Sequence, residues 1–273
     1  MAKALASKTL VIGEIINSSR KEVKAALMAK EERLIRHLAR IQVEAGAHAL
    51  DLNAGEMLEQ EAECLLWLVK VVQDELGEVR LSIDTANPEA MEEAISACIA
   101  RPIVNSISNE VSREKILQIA AKTEAEVIGL PLGWKGMPKD AVSRFEEAQE
   151  LLRKCKKVGI NQERVYIDIL CMAVGSDQTQ GLAALKAAHL IKQELGAKIC
   201  AAVSNVSFGL PRRRLLNRVY LAMLLAFGVD AVIMDPTDEG MREVLLAGET
   251  LLGKDRYCLN YIRYCKEKGG SKC

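Results

Sequence analysis

The chain is predicted to be an α/β protein folded as a closed barrel of eight parallel strands with helices on its outer side. Three observations point there. Short β-rich apolar runs alternate with longer amphipathic segments along the whole of the 273 residues. The runs are mostly continuous in apolar residues rather than alternating, which is the mark of parallel strands covered on both faces. The unit recurs eight times, the number that closes a barrel. An open doubly wound sheet is the main competitor. It normally has fewer strands, and its nucleotide-binding form carries a glycine-rich turn after the first strand; "GEIINSSRKEV" (13–23) contains no G-x-G-x-x-G.

In chain order the runs are "LVIGEIIN" (10–17), "ALDLNAG" (49–55), "RLSIDTAN" (80–87), "PIVNSIS" (102–108), "AEVIGLPLG" (125–133), "VYIDILCMAVG" (165–175), "AKICAAVSN" (197–205) and "AVIMDPTD" (231–238). Between the first two, "KEERLIRHLARIQVEAG" (30–46) repeats Leu34, Leu38 and Ile41 at helical spacing, and Gly46 supplies a stop. "PEAMEEAISAC" (88–98) opens on Pro88, suited to a first helical position, and sets Met91 and Ile95 four apart. "VYLAMLLAFGVDAVIM" (219–234) is interrupted by Gly228 and Asp230, so it reads as a helix end followed by a buried strand and not as a membrane span. No break in composition divides the chain, which predicts one domain over 1–273, with "KEKGGSKC" (266–273) as a frayed tail.

Composition removes several function classes. Lys plus Arg and Asp plus Glu are 37 each, so no overall positive field gathers nucleic acid or an anionic membrane. Of the eight cysteines, Cys64, Cys98, Cys171 and Cys200 sit inside apolar patterns, and no secretory leader is read, which points to a reducing cytoplasm. There is no C-x-x-C, and His37, His48 and His189 lie far from any plausible cysteine partner in sequence. A protein-held metal is therefore not expected.

The polar residues gather at the carboxyl ends of the runs, where a barrel of this class does its chemistry. Those ends carry Asn17, Asp51 and Asn53, Asp84 and Asn87, Asn105, Asp168, Asn205 and Asp235. Asn87 before Pro88 and Asp238 before Gly240 suit helix caps. Asp84 and Asp168 differ, because each lies within its run, and a carboxylate there must be paired or meet a ligand. Asn205, in "AAVSNVSFGLPRRR" (201–214), reads as a loop cap if taken alone. The set is rich in acids and amides and poor in Lys, His and Cys, which suits hydrogen-bond readout of a neutral heterocycle better than a phosphate or a metal.

Taken together, "DLNAG" (51–55), "SIDTAN" (82–87), "VNSIS" (104–108), "YIDIL" (166–170) and "SNVSFGLPRRRLLNRVYL" (204–221) resemble the pterin-binding methyltransferases over essentially the whole chain. They are most similar to the methyltetrahydrofolate:corrinoid-protein methyltransferases of anaerobic one-carbon metabolism, relatives of the folate domain of cobalamin-dependent methionine synthase. The resemblance implies a dihydropteroate-synthase-like (β/α)8 TIM barrel, usually a homodimer, that binds tetrahydrofolate or 5-methyltetrahydrofolate in its mouth. A separate corrinoid protein docks above, and its cobalamin cofactor supplies the cobalt. Carried over, Asp84, Asn105 and Asp168 hold the pterin ring, with Asp51 and Asn53 beside them. Asn205 is the catalytic asparagine facing N5 of the folate, and Arg212 and Arg213 contact the folate tail or the partner.

Where close relatives carry a glutamine three residues past that asparagine, this chain has Phe208. The departure implies a different partner or a different preferred direction of methyl transfer. Two alternatives stand beside the methyltransferase. One is a dihydropteroate synthase, which normally carries a Lys and an Arg-x-His near its last strands, whereas here the last strand leads into "DPTDEGMR" (235–242). The other is a non-catalytic folate-binding subunit. Because no residues have metal-ligand spacing, methyl transfer is predicted to persist after exhaustive chelation. Activity lost on chelation and restored specifically by zinc would require Lewis-acid activation instead.

Overall fold

The structure, a computed structural model, describes residues 7–134 and 136–268. Its eight strands are β1 (Leu10–Asn17), β2 (Ala49–Asn53), β3 (Leu81–Asp84), β4 (Ile103–Ser108), β5 (Glu126–Leu130), β6 (Val165–Asp168), β7 (Lys198–Ala202) and β8 (Ala231–Met234). They pair in sequence order, all parallel, and β8 pairs with β1 to close the barrel. Two helices follow β1, namely α1 (Lys21–Ala29) and α2 (Glu32–Glu44). Around the outside run α3 (Glu61–Leu76), α4 (Pro88–Ser96), α5 (Glu114–Lys122), α6 (Ala141–Lys157), α7 (Gln180–Leu195), α8 (Arg213–Ala226), α9 (Glu239–Leu251) and α10 (Leu259–Glu267).

The apolar interior has two parts. A large one lies between the strands and the helices, and a small one fills the barrel, built from Ile12, Ala49, Ile103, Ile128, Tyr166, Cys200, Ala231 and Ile233. This inner plug closes the barrel below its carboxyl end. The helix signals act as the sequence suggests. Asn87 caps α4 by accepting from Glu89 and Ala90 N–H, with Pro88 at the first position, and Asp238 caps α9 by accepting from Met241 N–H.

The structure differs from the sequence reading in five places. The second, third and fifth to eighth runs overshoot at their carboxyl ends, so Asp84 and Asp168 are the last residues of β3 and β6 and not interior ones. Asn205 lies beyond β7, on a short 3-10 turn over Val203–Ser207. The buried face of α2 is Ile35, Leu38, Ala39 and Gln42, with Leu34 and Ile41 only half-buried. The segment between the first run and the helical pattern at 30–46, to which the sequence reading assigned no element, contains α1. Of the expected tail, residues 269–273 lie outside the described residues, while α10 runs to Glu267.

One departure from regularity sets up the mouth. Pairing of β1 with β2 shifts register between Gly13 and Ile16, so β1 holds a bulge there. In an unbroken strand Leu10, Ile12 and Glu14 would share the inner face with Ile16, leaving Asn17 outside. The bulge instead lets Ile15 and Ile16 both join the outer core, and Glu14 and Asn17 both line the mouth. Gln42 of α2 holds it. Its side-chain carbonyl accepts from Ile15 N–H at 3.1 Å, and its amide donates to Leu38 O at 3.2 Å. Gly13 leaves room for this side chain: a Cβ there would stand 2.4 Å from Gln42 Oε1, so the amide would have to shift. Gly13→Ala is predicted to displace Gln42 and lower unfolding free energy by about 1–3 kcal/mol in urea denaturation, as overpacking does. Wild-type stability in that variant would show that the bulge does not depend on this contact.

Candidate active site

A cavity of about 750 Å³ opens at the carboxyl ends of the strands. Its wall follows from strand alternation: Glu14 of β1, Asp84 of β3, Asn105 of β4, Leu130 of β5, Asp168 of β6, Ala202 of β7 and Ile233 of β8 all face in, with Asp51 of β2 beside them. Asp84 and Asn105 are register partners, as are Asn53 and Asp84. The rim adds Arg20, Arg113, Ser204, Asn205, Phe208, Arg213, Arg214, Asn217 and Asp235.

Asp51 and Asp168 are buried, Glu14 and Asp84 half-buried, and each acid has its own donor. Asp51, 4% exposed, accepts at Oδ1 from Ser82 Oγ at 2.6 Å and Asn105 Nδ2 at 3.0 Å. Asn53 does not line the cavity; it stands behind Asp84, donating from Nδ2 to Asp84 Oδ2 at 2.9 Å while its own Oδ1 accepts from Ser18 Oγ and Gly55 N–H. Asp168 accepts from Leu170 N–H at Oδ1, 2.7 Å. Glu14 accepts from Ser204 Oγ at 3.0 Å.

Burial dominates the titration of all four. It pushes the Asp51 carboxyl well above the usual carboxylate range, with the neighbouring Asp84 charge adding to the rise. Asp84 is raised by burial, against the opposing effects of the Asn53 hydrogen bond and the Arg113 guanidinium. Asp168 is pushed up by burial to about 6, with Leu170 N–H and Arg144 opposing. Burial carries Glu14 to about 7, opposed by the Ser204 hydroxyl and by Arg20 and Arg213.

Asn205 is exposed at the rim, and among the described residues its side chain makes no hydrogen bond, so it is not spent on capping a loop. The turn that carries it is fixed from elsewhere. Arg213 folds back, donating from Nη2 to Ser204 O at 2.8 Å and from Nε to Ser207 Oγ at 3.1 Å, and its guanidinium lies 5.7 Å from the centre of the Phe208 ring. The arginine run thus divides. Arg213 and Arg214 line the mouth, Arg214 lying 3.6 Å from Asp238, whereas Arg212 takes a left-handed backbone at the start of α8 and does not line the cavity.

Glu14 was not singled out from sequence, because attention to strand ends passes over a residue in the middle of its run. The available signal was a lone carboxylate after a glycine in an otherwise apolar strand, "VIGEIIN" (11–17). Arg113, on the loop after β4, carried no signal. Among the described residues no group of three or more His, Cys, Asp or Glu could hold a metal ion. No helix of the described residues is long and apolar enough to cross a membrane.

Because Glu14 is raised from 4.5 to about 7, the folded chain holds a proton between those values that the unfolded chain has released. Its contribution to stability is full below about 4.5 and is lost as pH rises through about 7. Glu14→Gln is therefore predicted to match the wild type near pH 4 and to exceed it above pH 8 by on the order of 3 kcal/mol in urea denaturation. An equal effect at both pH values would mean that the carboxyl is not held protonated by the fold.

The pterin binding enzyme family matches residues 13–235. A methylcorrinoid:tetrahydrofolate methyltransferase of Eubacterium limosum is 31% identical over 260 residues, covering 93% of this chain and 95% of the relative. Among solved structures, a dihydropteroate synthase of Coxiella burnetii in complex with pteroic acid superposes with a TM-score of 0.72 at 16% identity, over 91% of this chain and 95% of that one. That second likeness is one of fold, a TIM barrel. With the family match running from the β1 bulge to the end of β8, the chain belongs to the pterin-binding enzymes.

Proposed function

We propose that the chain transfers a methyl group between N5 of tetrahydrofolate and the cobalt of a corrinoid presented at the barrel mouth by a separate corrinoid protein. The observation that carries this reading is the pairing of a floor of carboxylates and amides with an exposed amide, Asn205, whose side chain makes no hydrogen bond among the described residues, on a pinned turn at the rim. A pterin offers an amino-pyrimidinone edge of adjacent N–H donors, which Asp84 and Asp168 accept, with Asn105 completing the contact. The similarity to the Eubacterium limosum enzyme supports the reaction, and the name of that relative has methylcorrinoid as donor and tetrahydrofolate as acceptor.

In that direction the N5 lone pair forms the new N–C bond, the cobalt keeps the electron pair of the broken Co–C bond, and N5 loses its proton. In reverse, the tertiary N5 leaves only with a proton or a hydrogen bond in place. The role assigned to Asn205 is to stabilise the charge that changes at N5, as a neutral dipole fixed before reaction. Glu14, titrating near 7 and bonded to the neighbouring Ser204, is the group assigned to hold the proton. Exposed apolar side chains on the loops after β2, β4, β5 and β7, namely Leu58, Val111, Trp134 and Phe208, support docking of a protein on this face.

The test follows corrinoid absorbance with methylcobalamin plus tetrahydrofolate, and with cob(I)alamin plus 5-methyltetrahydrofolate. Turnover is predicted; folate binding without turnover in either direction would leave only a carrier. Holding and activating should also separate. Asn205→Ala is predicted to lower single-turnover transfer at saturating folate by roughly 100-fold, about 3 kcal/mol, with a smaller loss of binding. Asp84→Ala and Asp168→Ala should weaken folate binding more than turnover, because the ring edge they meet is unchanged in the transition state. A wild-type rate for Asn205→Ala at saturation would remove its catalytic role.

A further inference from the structure

Arg144 of α6 has no exposed surface, the largest side chain so enclosed in the barrel. Among the described residues its guanidinium has no carboxylate as a hydrogen-bond partner. It donates from Nε to Ile169 O at 3.0 Å, from Nη2 to Leu170 O at 3.2 Å and to Gln180 Oε1 at 2.8 Å, and from Nη1 to Asp140 O at 3.1 Å. A buried arginine held only by neutral oxygens calls for a reason, since desolvating a cation is costly. The reason lies in what it grips. Ile169 and Leu170 are the two residues after Asp168, and Leu170 has a left-handed backbone, φ 53, which disfavours a leucine. That conformation turns Leu170 N–H back onto Asp168 Oδ1, and among the described residues no other hydrogen bond reaches this carboxylate, so Oδ2 is left for the cavity.

We propose that Arg144 is a positioning residue for the pterin site: by gripping the Ile169 and Leu170 carbonyls it locks the turn after β6 that orients Asp168, and its charge keeps that carboxylate ionised for the ligand. The inference rests on the proposed pterin reading for its ligand but not for its electrostatics. The titratable groups around Asp168 are Arg144 from α6, Cys171 in the same turn, Cys200 from β7 and Tyr220 from α8. Burial raises both thiols and the phenol, so these stay neutral through the range in which Asp168 titrates. Arg144 is then the charge that Asp168 meets.

The test titrates Asp168 in the ligand-free protein by NMR of aspartate labelled at the carboxyl carbon, with Asp168→Asn assigning the signal. Wild type should titrate near about 6, and Arg144→Met should move the midpoint up by about one pH unit. Arg144→Lys, which keeps the charge among the same carbonyls, should stay near wild type. The same three proteins are then titrated with tetrahydrofolate. Arg144→Lys, whose single ammonium cannot reproduce the guanidinium fork, should bind about tenfold more weakly with kcat at saturation unchanged. An unmoved midpoint in Arg144→Met, or one moved equally by Arg144→Lys, would overturn the electrostatic role. Should Arg144→Met not fold, Arg144→Lys binding tetrahydrofolate as tightly as wild type would overturn the positioning role. Failure of the wild type to bind tetrahydrofolate at any pH would count against the pterin reading alone, since the carboxyl titration needs no ligand.

Discussion

Four carboxyl groups, Glu14, Asp51, Asp84 and Asp168, are withdrawn from water at one end of one barrel, and the rest of the mouth is arranged around that desolvation. A cluster of acids so placed would be unstable without donors, and each has its own: Ser204 for Glu14, Ser82 and Asn105 for Asp51, Asn53 for Asp84, and the Leu170 amide for Asp168. These donors leave the carboxylates only partly satisfied. All four remain above their ordinary titration ranges, so a ligand that brings N–H groups in the right geometry relieves a cost already present in the empty fold.

Two of the three supports stand outside the cavity and the third, Arg213, is on its rim. Gln42 secures the β1 bulge that brings Asn17 to the mouth beside Glu14, Arg144 grips the turn after Asp168, and Arg213 pins the turn that bears Asn205. In each case a long polar side chain from an outer helix satisfies loop or bulge backbone that no ladder partner reaches. The bulge and the two turns thereby have these backbone groups paired although they depart from the regular ladder. Among the described residues the Asn205 side chain makes no hydrogen bond on that turn, which leaves it available to a ligand in the mouth.

Much of this was legible in the chain. The alternation of eight apolar runs with amphipathic segments carries the barrel, and the first run, 10–17, coincides with β1 because Asn17 and the polar "SSR" after it stop the strand. The run 165–175 outlasts β6 because apolar character continues through "ILCMAV" while the backbone has already turned at Leu170, a reversal set by Asp168 and Arg144 that no periodicity records. Asn53 read as a ligand residue but stands behind Asp84, since a residue's place on a strand end does not say whether its side chain meets the cavity or a neighbour. Arg214, rather than Arg212, reaches the mouth because the left-handed residue at 212 sets the phase of α8. Glu14 escaped because it lies in the middle of its run and not at the strand end, while Asn17 reaches the mouth beside it only through a bulge held by Gln42, a tertiary contact.

In the proposed reading the acid and amide floor is a clamp for a pterin ring. The most direct measurement is a crystal structure of the protein with tetrahydrofolate bound. The account predicts the amino-pyrimidinone edge against Asp84 and Asp168, Asn105 in contact with the ring, and N5 within hydrogen-bond distance of the Asn205 amide. A pterin bound elsewhere, or one entering the mouth with its aminobenzoyl end deepest and N5 away from Asn205, would contradict it.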